Sequence, residues 1–485
     1  MRSPARRLVV VSNRLPVSFA VENGVVKSSP GSGGLISALE PLLKQHGGVW
    51  VGSAGTAESP EIREALAEAA REHAFGYSPV FLTEEEQANY YEGFSNEVIW
   101  PLFHDLQSRC RFDPTFWDFY ERVNEKFADA TAAEARDEDL VWIQDYQLMQ
   151  VGRFLRVKRP HDGLAFFLHI PFPPPDIYAK LPWRREILES LLEYDLLGFQ
   201  TGRDQRNFIA CVRCFLPKMQ VDKAGNGRVL RAQNRSVHVG YFPISIAFKE
   251  FEAAAKQPDV EEKLREIREQ SGDLRIVLGM DRLDYTKGIT ERLRAFGLFL
   301  RQYPEQRKKV TFYQIVVPSR ETIAEYQALK EEIEQLVARV NGEFSEPGWV
   351  PITYMHKAVP KAELLALYRA ADVALVTPLK DGMNLVAKEY CAARVDGGGT
   401  LILSEFAGAA PEMRGMALMV NPYDETGVAK ALIKALSMTT EEQNKRMRNL
   451  RRHLVRFDLN WWRDQFFAAF EAARAETANR NSTES

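Results

Sequence analysis

Short runs of apolar and β-branched residues recur along the chain, and each is followed by a longer segment whose apolar positions have a helical period. In the N-terminal half these runs begin at Leu8, Val49, Leu140, Leu164, Leu196 and Val237. In the C-terminal half they begin at Arg275, Val310, Ile352, Val373, Thr400 and Ala417. This alternation predicts parallel strands joined by crossover helices. We therefore expect the α/β class, with two Rossmann-like, doubly wound domains.

The boundary between the two predicted domains lies near Ile246, where the sixth strand run ends and a charged helical stretch begins. A length of 485 residues also favours more than one domain, because domains usually hold about 100–200 residues. Near the C-terminus, Trp462, Phe466 and Phe470 recur at i, i+4 spacing, which predicts a helix packed on the globule and crossing back to the N-terminal domain. The predicted parts are an N-terminal domain, a C-terminal domain, this helix and a flexible tail, at 1–245, 246–457, 458–475 and 476–485.

Composition and charge narrow the kind of partner. The chain is 45% hydrophobic and 27% charged, as globular proteins are. Its 63 basic and 66 acidic residues leave a net charge of −3, which gives no global field to attract nucleic acid or an anionic membrane. The apolar stretch Leu8–Val11 is too short for a signal peptide, and no run approaches the length of about 18 residues that spans a bilayer. We therefore expect a cytoplasmic protein that acts on small molecules.

Charged and polar side chains follow the predicted strands at their carboxyl ends, where ligands bind in α/β folds. These residues are Arg14, Asp145, His169, Arg282, Lys287, Arg320 and Asp381. Because they recur in both halves, they indicate a central cleft that the two domains face.

Two segments are candidates for binding phosphate. Arg282 and Lys287 share the loop DRLDYTKG, and a guanidinium with an ammonium suits the two phosphates of a nucleotide sugar. Gly31, Gly33 and Gly34 precede a helical run, so backbone amides and the positive helix end are able to face an anion. A solvated loop and a flexible turn would have the same spacings, so both alternatives stay open here.

Carboxylates at the strand ends are candidates for binding sugar hydroxyls. In DGMNLVAKEY, Asp381 and Glu389 are able to accept hydrogen bonds from a hexose and a ribose, although a helix cap and a surface carboxylate would look alike. A metal-dependent transferase would need a DxD pair in the cleft, and Asp137 with Asp139 precedes a strand instead of following one. Cys211 and Cys214 form one CxxC, but no second pair of ligands lies nearby in the sequence, and no other cluster has convincing metal-ligand spacing. We therefore expect metal-independent chemistry.

The residue blocks along the chain resemble those of the trehalose-6-phosphate synthases. The blocks are VSNRLPV, PGSGGLISALEP, YYEGFSNEVIWPLFHD, VWIQDYQL, FFLHIPFP, LLGFQT, DRLDYTKGI, PSRE, NGEF, VTPLKDGMNLVAKEY and LILSEFAGAA. They run from about Leu8 to about Pro422. The resemblance implies a retaining glycosyltransferase of the two-domain GT-B architecture. It would move glucose from UDP-glucose or ADP-glucose to glucose 6-phosphate, giving α,α-trehalose 6-phosphate and a nucleoside diphosphate without a cofactor or metal.

The resemblance also implies roles for individual residues. The implied donor ligands are Gly33, Gly34, Arg282, Lys287, Val359, Leu385, Val386, Ala387, Lys388 and Glu389. The implied acceptor ligands are Arg14, Tyr91, Asp145 and Arg320. The residues implied in catalysis are Arg282, Lys287, His169 and Asp381, and those implied to select the α-anomer are Trp100 and Ile170. Within these sets Glu389 would bind the ribose, Val359 would face the base, and His169 with Asp381 would hold the donor glucose.

Retention of configuration is open to two routes, a carboxylate nucleophile or a front-face displacement, and the resemblance implies the second. The chain departs from the family pattern at Ser53, where a second tryptophan is common. It also departs at Gln144 and Gln147, which stand where histidines are common, and at Ser245 in place of a glycine.

Three alternatives to this reading stay open. The first is a related transferase with another phosphorylated acceptor. Ser53 leaves it open, although the presence of Arg14, Tyr91, Trp100 and Arg320 together argues against it. The second is a sugar-phosphate sensor without catalysis, although Arg282, Lys287 and Glu389 are all present. The third and weakest is a hydrolase, because a closing cleft excludes water. The donor base and the oligomeric state, including a homo-oligomer, also stay open.

Overall fold

The computed structural model describes residues 6–22, 25–31, 34–72, 75–160, 163–224, 227–232, 235–320 and 323–484. The chain divides into two compact units. Unit 1 comprises Met1–Pro243 and Arg463–Ser485, and unit 2 comprises Ile244–Trp462. Unit 1 is built on a mostly parallel sheet and unit 2 on a fully parallel one.

Unit 1 contains a nine-stranded sheet in the order β5-β4-β1-β6-β7-β8-β11-β10-β9 and a separate hairpin of β2 and β3. Its strands are β1 (Leu8–Arg14), β2 (Val17–Glu22), β3 (Val25–Pro30), β4 (Gly48–Ser53), β5 (Gly76–Val80), β6 (Leu140–Gln144), β7 (Gly163–Phe167), β8 (Leu196–Phe199), β9 (Gln220–Ala224), β10 (Gly227–Ala232) and β11 (Arg235–Tyr241). Strands β5 to β11 in the sheet order are parallel, and β10 runs antiparallel to both of its neighbours.

Helices cover the sheet of unit 1. They are α1 (Gly34–His46), α2 (Pro60–Glu72), α3 (Glu84–Glu86), α4 (Trp100–Phe103), α5 (Pro114–Glu134), α6 (Val151–Lys158), α7 (Pro175–Tyr178), α8 (Arg184–Leu191) and α9 (Gly202–Phe215). A π-helix spans Gln87–Ile99, and 3-10 turns span Gln107–Arg109 and Tyr146–Leu148. Strand β1 shows how polar residues come to lie at the carboxyl edge of this sheet. It is buried from Leu8 to Ser12, and its polar end, Asn13 and Arg14, emerges from the core.

Unit 2 contains a six-stranded sheet in the order β14-β13-β12-β15-β16-β17, and all its strands are parallel. The strands are β12 (Arg275–Arg282), β13 (Val310–Val317), β14 (Ile352–His356), β15 (Val373–Val376), β16 (Thr400–Ser404) and β17 (Leu418–Val420). The helices are α10 (Phe248–Ala254), α11 (Pro258–Ser271), α12 (Ile289–Gln302), α13 (Ala324–Phe344), α14 (Lys361–Ala370), α15 (Leu385–Ala393), α16 (Ala410–Met413), α17 (Glu425–Leu436) and α18 (Thr440–Arg456), with 3-10 turns at Tyr285–Lys287 and Pro304–Gln306.

The last helix, α19 (Leu459–Glu484), begins in unit 2 and continues into unit 1. In unit 1, Phe466 stacks on Trp142 with ring centroids 4.3 Å apart. Glycines make room for this face, because a Cβ atom at Gly198 would lie 2.8 Å from Phe466 and one at Gly163 would lie 2.6 Å from Phe470. The large aromatic side chains of α19 therefore fit a surface that only small residues leave open.

The predicted α/β class with parallel sheets is confirmed, and each of the twelve strand runs named above overlaps a strand of the structure. Five strands were not predicted: β2, β3, β5, β9 and β10. Helix α19 is also longer than the expected 458–475, and it includes most of the expected flexible tail. No glycine or proline interrupts it after Ala475, and Glu476 accepts a hydrogen bond from Arg231 at 2.8 Å. The acceptor and donor roles of the two units stay a prediction.

No helix in the described part of the chain combines the length and the apolar character needed to cross a bilayer.

Truncation of Phe466 tests the packing of α19. We expect Phe466→Ala to lower the free energy of unfolding by about 3–5 kcal/mol, because it leaves a cavity against Trp142 and Gly198. Val157→Ala is the control, since Val157 is 83% exposed and should change stability by less than about 0.5 kcal/mol. Urea unfolding measures both, and equal midpoints for the two variants would contradict this packing.

Candidate active site

A pocket of about 220 Å³ lies in unit 1, at the carboxyl ends of β1 and β6. Its lining residues are Ser12, Asn13, Arg14, Leu15, Leu35, Ile36, Trp50, Tyr91, Gln144, Asp145 and Gln147. Three of the four residues expected to bind the acceptor, namely Arg14, Tyr91 and Asp145, are therefore brought together. Helix α1 begins at Gly34, and its first turn contributes Leu35 and Ile36 to this pocket. Gly33 lies outside the described residues.

Arg14 is held at the exposed end of β1 by a chain of short contacts. The Trp50 indole donates to the Ser12 hydroxyl at 2.7 Å, and that hydroxyl donates to the Arg14 carbonyl at 2.7 Å. The guanidinium carbon lies 5.9 Å from the centroid of the Tyr91 ring. Gly55, at φ 74°, leaves space for this guanidinium, because a Cβ atom there would lie 2.8 Å from Arg14 Nη1. Sequence and backbone together thus present a cation and a phenol to the same pocket.

Tyr91 lies within the π-helix Gln87–Ile99. Helices of this type are rare and are frequently found at functional sites. The Asn96 amide donates to the Tyr91 carbonyl at 2.8 Å, and Asn96 in turn accepts a hydrogen bond from the Tyr146 hydroxyl at 3.0 Å. Asn96 is therefore a supporting residue that the sequence analysis missed, since no motif or helical period of 3.6 marks a contact at i+5.

Asp145 has a backbone conformation that side chains rarely adopt, with φ at 72°. Its own N–H donates to the Phe167 carbonyl at 2.8 Å, and its carboxylate accepts the backbone N–H of His169 at 3.1 Å. Such strain costs about 1–3 kcal/mol and persists where surrounding contacts enforce it, commonly at active sites. The conformation supports a functional reading of Asp145.

His169 lies beside this pocket and is neutral. Its Nε2 is 3.0 Å from Gln144 Oε1, and its Nδ1 is 3.3 Å from Gln200 Nε2, so a tautomer with the proton on Nε2 satisfies both amides. Burial lowers the pKa of His169 to about 3. Because both ring nitrogens already have hydrogen-bond partners, a hydroxyl of the donor glucose would have to displace one of the two glutamines in order to bind His169. Gln144, which departs from the family pattern, is one of these partners.

Trp100 and Ile170 are both buried in unit 1. Trp100 packs against His104 and Tyr146, with ring centroids 4.3 Å and 5.6 Å away. Neither Trp100 nor Ile170 is among the described residues that line the pocket. Ser53 is 6% exposed, and its hydroxyl accepts the Gly55 N–H at 3.2 Å. The role of Trp100 and Ile170 in anomer selection therefore stays a prediction.

In unit 2 the structure joins two of the expected donor residues. Lys287 Nζ lies 2.6 Å from Asp381 Oδ2, and the Asn384 amide donates to the same oxygen at 3.1 Å. Asn384 has φ 73° and caps α15 by accepting the Ala387 N–H at 3.3 Å. The Asn384 side chain thus connects the N-terminus of α15, which begins with Leu385, Val386 and Ala387, to the pair of Lys287 and Asp381. A cation next to the positive end of a helix is a suitable site for phosphate.

Arg282 is the last residue of β12 and is exposed, whereas Arg320 is drawn into the interior of unit 2. The Arg320 guanidinium donates to the Tyr326 hydroxyl and lies 3.5 Å from Asp284. Burial opposes the ionisation of Asp284, but Arg320 and Lys287 nevertheless lower its pKa. The sequence analysis missed Asp284 as the partner of Arg320. The expected participation of Arg320 in acceptor binding stays a prediction.

Glu389 lies on α15, where the Tyr368 hydroxyl donates to its Oε2 at 2.9 Å. Burial raises the pKa of Glu389 above its ordinary value, and the hydrogen bond from Tyr368 only partly opposes this rise. The side chain of Lys388 turns away to the carbonyl of Ile244, so only its backbone is suited to the expected role. Val359 lies half-buried in the loop between β14 and α14. Among the described residues, no three His, Cys, Asp or Glu side chains form a group able to hold a metal.

Parallel strands that end in cations, carboxylates and a helix N-terminus define a class of α/β proteins that bind phosphorylated small molecules. Comparison with known proteins narrows this class. The family model for glycosyltransferase family 20 matches residues 6–472. Trehalose-6-phosphate synthase of Mycolicibacterium smegmatis is 43% identical over 481 residues, which cover 98% of this chain and 94% of the relative.

Solved structures agree with the family match. The α,α-trehalose-phosphate synthase (UDP-forming) of Burkholderia xenovorans, in complex with glucose 6-phosphate, has a TM-score of 0.86 and 34% identity over 96% of this chain and 100% of its own. An E. coli structure with bound UDP-2-fluoro glucose has a TM-score of 0.85 and 35% identity over 96% and 98%. The chain therefore belongs to glycosyltransferase family 20 and is a glycosyltransferase. The resemblance noted in the sequence is confirmed.

The neutrality of His169 is open to a direct test. Because its pKa is about 3, its ring should stay uncharged between pH 5 and 8. With ¹³C-labelled histidine, the ring Cε1–H resonance of His169, assigned by its loss in His169→Gln, should not move over this range. A titration near the ordinary value of about 6.5 would contradict the buried, doubly hydrogen-bonded ring.

Proposed function

We propose that the chain transfers glucose from a nucleoside diphosphate glucose to glucose 6-phosphate, with retention of configuration, giving α,α-trehalose 6-phosphate and a nucleoside diphosphate. Family membership supports the reaction class, and the relatives named trehalose-6-phosphate synthase support the substrates. The observation that carries the proposal is the pocket of unit 1, which combines Arg14, Tyr91 and Asp145.

The chemistry of this pocket suits a sugar phosphate. A phosphate with a charge near −2 needs fixed donors, which the Arg14 guanidinium and the Tyr91 hydroxyl supply. A carboxylate accepts hydrogen bonds from sugar hydroxyls, which suits Asp145. We assign the acceptor phosphate to Arg14 and Tyr91, with Arg320 as a further ligand, and the acceptor sugar to Asp145.

The donor is assigned to unit 2 and to the glycines before α1. Lys287, Arg282 and the first amides of α15 bind the diphosphate, with Gly33 and Gly34 as the further donor ligands that the family resemblance implies. Asp381 and His169 bind the glucose hydroxyls, while Glu389 binds the ribose and Val359 faces the base. The short ion pair between Lys287 and Asp381 supports the assignment of phosphate to Lys287 and of sugar to Asp381. When a phosphate draws Lys287 away, the Asp381 carboxylate is able to accept hydrogen bonds from the sugar hydroxyls.

Catalysis then consists mainly of positioning and electrostatic stabilisation. The bond from the glucose anomeric carbon to the diphosphate oxygen breaks, and the acceptor hydroxyl oxygen bonds to the same carbon from the same face. The acceptor proton passes to the departing phosphate oxygen, so no enzyme nucleophile forms. Arg282 and Lys287 stabilise the negative charge that grows on the diphosphate. A metal has no part in this proposal.

Product analysis tests the proposed function. Purified protein is incubated with glucose 6-phosphate and with UDP-, ADP- or GDP-glucose, in the presence and absence of EDTA. We expect one or more donors to give a 1,1-linked disaccharide phosphate with two α-anomeric signals by NMR, unaffected by EDTA. Failure to form this product with every donor would refute the proposal, and loss of activity in EDTA would refute metal independence alone.

Removal of either phosphate-binding cation should slow the transfer. We expect Arg282→Ala and Lys287→Ala each to lower kcat by about 10²–10³-fold, the usual loss when a group that stabilises developing charge is removed. Arg275→Ala is a matched control. Arg275 is the first residue of the same strand, at the end opposite Arg282, and its Nε lies 3.1 Å from Asp372 Oδ1. Near-normal turnover in both test variants would remove these residues from the catalytic machinery.

The space beside Arg14 gives a test of the acceptor site. Gly55→Ala places a Cβ atom 2.8 Å from the guanidinium and should raise KM for glucose 6-phosphate about tenfold or more. Gly47→Ala controls for backbone strain, because Gly47 also has a positive φ, 69°, but nothing lies within 4 Å of its Cβ position. If the two substitutions change KM equally, Arg14 does not bind the acceptor phosphate.

A further inference from the structure

Glu389 is a carboxylate in an unusually poor environment for a charge. It lies on α15, and burial raises its pKa. The neighbouring cations are engaged elsewhere: Lys388 contacts Ile244 O at 2.8 Å and Glu412 at 2.7 Å, and Arg451 donates to carbonyls at the end of α15. Among the described residues no ion pair to Glu389 is formed. A half-buried carboxylate without a cation depends largely on its hydrogen bonds to stay ionised.

Tyr368 supplies such a hydrogen bond. Its hydroxyl donates to Glu389 Oε2 at 2.9 Å from the adjacent helix α14. The tyrosine is 1% exposed, and its ring lies 6.4 Å from that of Tyr390, so it has little freedom to turn away. Asp281 is the other acidic group whose charge acts on this phenol, and it raises the pKa of Tyr368, as Glu389 does. Tyr368 therefore stays protonated and acts as a donor to Glu389.

We propose that Tyr368 is a positioning residue for nucleotide binding, whose hydroxyl fixes one oxygen of the Glu389 carboxylate and thereby orients it towards the two vicinal hydroxyls of a ribose. This inference rests on the proposed role of Glu389 as the ribose ligand. An ionised carboxylate accepts from two hydroxyls, whereas a protonated one must donate its proton to one of them. The hydrogen bond from Tyr368 favours the accepting form.

The proposal locates the effect of Tyr368 in binding and not in transfer. Tyr368→Phe keeps the ring and its packing but removes the donor, so Glu389 should take up a proton at a higher pH than in the unaltered protein. Loss of a hydrogen bond to a charged group weakens an interaction by about tenfold or more. We expect KM for the nucleotide sugar to rise while kcat at saturating donor stays within about twofold.

Tyr390→Phe provides a matched control. Tyr390 lies next to Glu389 on α15 and is also buried, but its hydroxyl donates to the Ala371 carbonyl at 3.2 Å. Removing this hydroxyl removes a hydrogen bond of the same helix without touching the carboxylate. Its variant should therefore bind nucleotide as the unaltered protein does, within about twofold.

The experiment measures the Kd of UDP and ADP, and of their 2′-deoxy forms, by calorimetry between pH 5.5 and 8. Tyr368→Phe should weaken binding of the ribonucleotide about tenfold or more, with the largest loss at low pH, and should affect the 2′-deoxy form much less. An unchanged Kd would overturn the proposal. An equal loss of affinity for the ribonucleotide and for its 2′-deoxy form at every pH would also overturn the proposal, because a merely structural role predicts that pattern.

Glu389→Gln separates failure of this inference from failure of its premise. If Glu389→Gln weakens nucleotide binding and Tyr368→Phe does not, the inference about Tyr368 is refuted and the role of Glu389 stands. If Glu389→Gln binds as the unaltered protein does, the ribose role of Glu389 is refuted together with the inference. Product formation from glucose 6-phosphate tests the transferase activity independently of both outcomes.

Discussion

The ion pair between Lys287 and Asp381 is the interaction on which the proposed donor site depends. It joins the loops that follow β12 and β15, two neighbouring parallel strands, and the Lys287 and Asp381 side chains are only 10% and 14% exposed. In such a place charges interact more strongly than in bulk water, and an unpaired charge is costly. The pair therefore stabilises a cation and a hydrogen-bond acceptor at the strand ends before any ligand arrives. Electrostatic catalysis requires this kind of prior organisation.

Neighbouring polar side chains hold several of the proposed ligand-binding residues in place. Asn384 both caps α15 and contacts Asp381, so the helix N-terminus and the ion pair form one structural element. In unit 1, the Ser12 hydroxyl donates to the Arg14 carbonyl, and the Asn96 amide donates to the Tyr91 carbonyl. In unit 1 the supporting side chains thus bond to the backbone of the candidate ligands, whereas in unit 2 Asn384 bonds to the Asp381 carboxylate itself. Precise placement of this kind reduces the entropy lost when substrates bind.

The sequence predicted the parts of the fold that burial dictates. Strands such as β6 are buried along their whole length, and they read as continuous apolar runs. The unpredicted strands lack this signal: β5 is GYSPV, with a glycine and a proline, and β9 is QVDKA at the sheet edge. The π-helix that contains Tyr91 was also missed, because its period matches neither a strand nor an α-helix. Contacts between distant residues, such as Gln200 with His169, leave no trace in local spacing.

A crystal structure of the protein with UDP and glucose 6-phosphate would test the central claim most directly. The account predicts that Lys287 Nζ leaves Asp381 and lies within about 3 Å of a diphosphate oxygen, while Arg14 and the Tyr91 hydroxyl contact the phosphate of the sugar. A Lys287–Asp381 pair that stays closed with both ligands bound, or a sugar phosphate that binds away from Arg14, would contradict it.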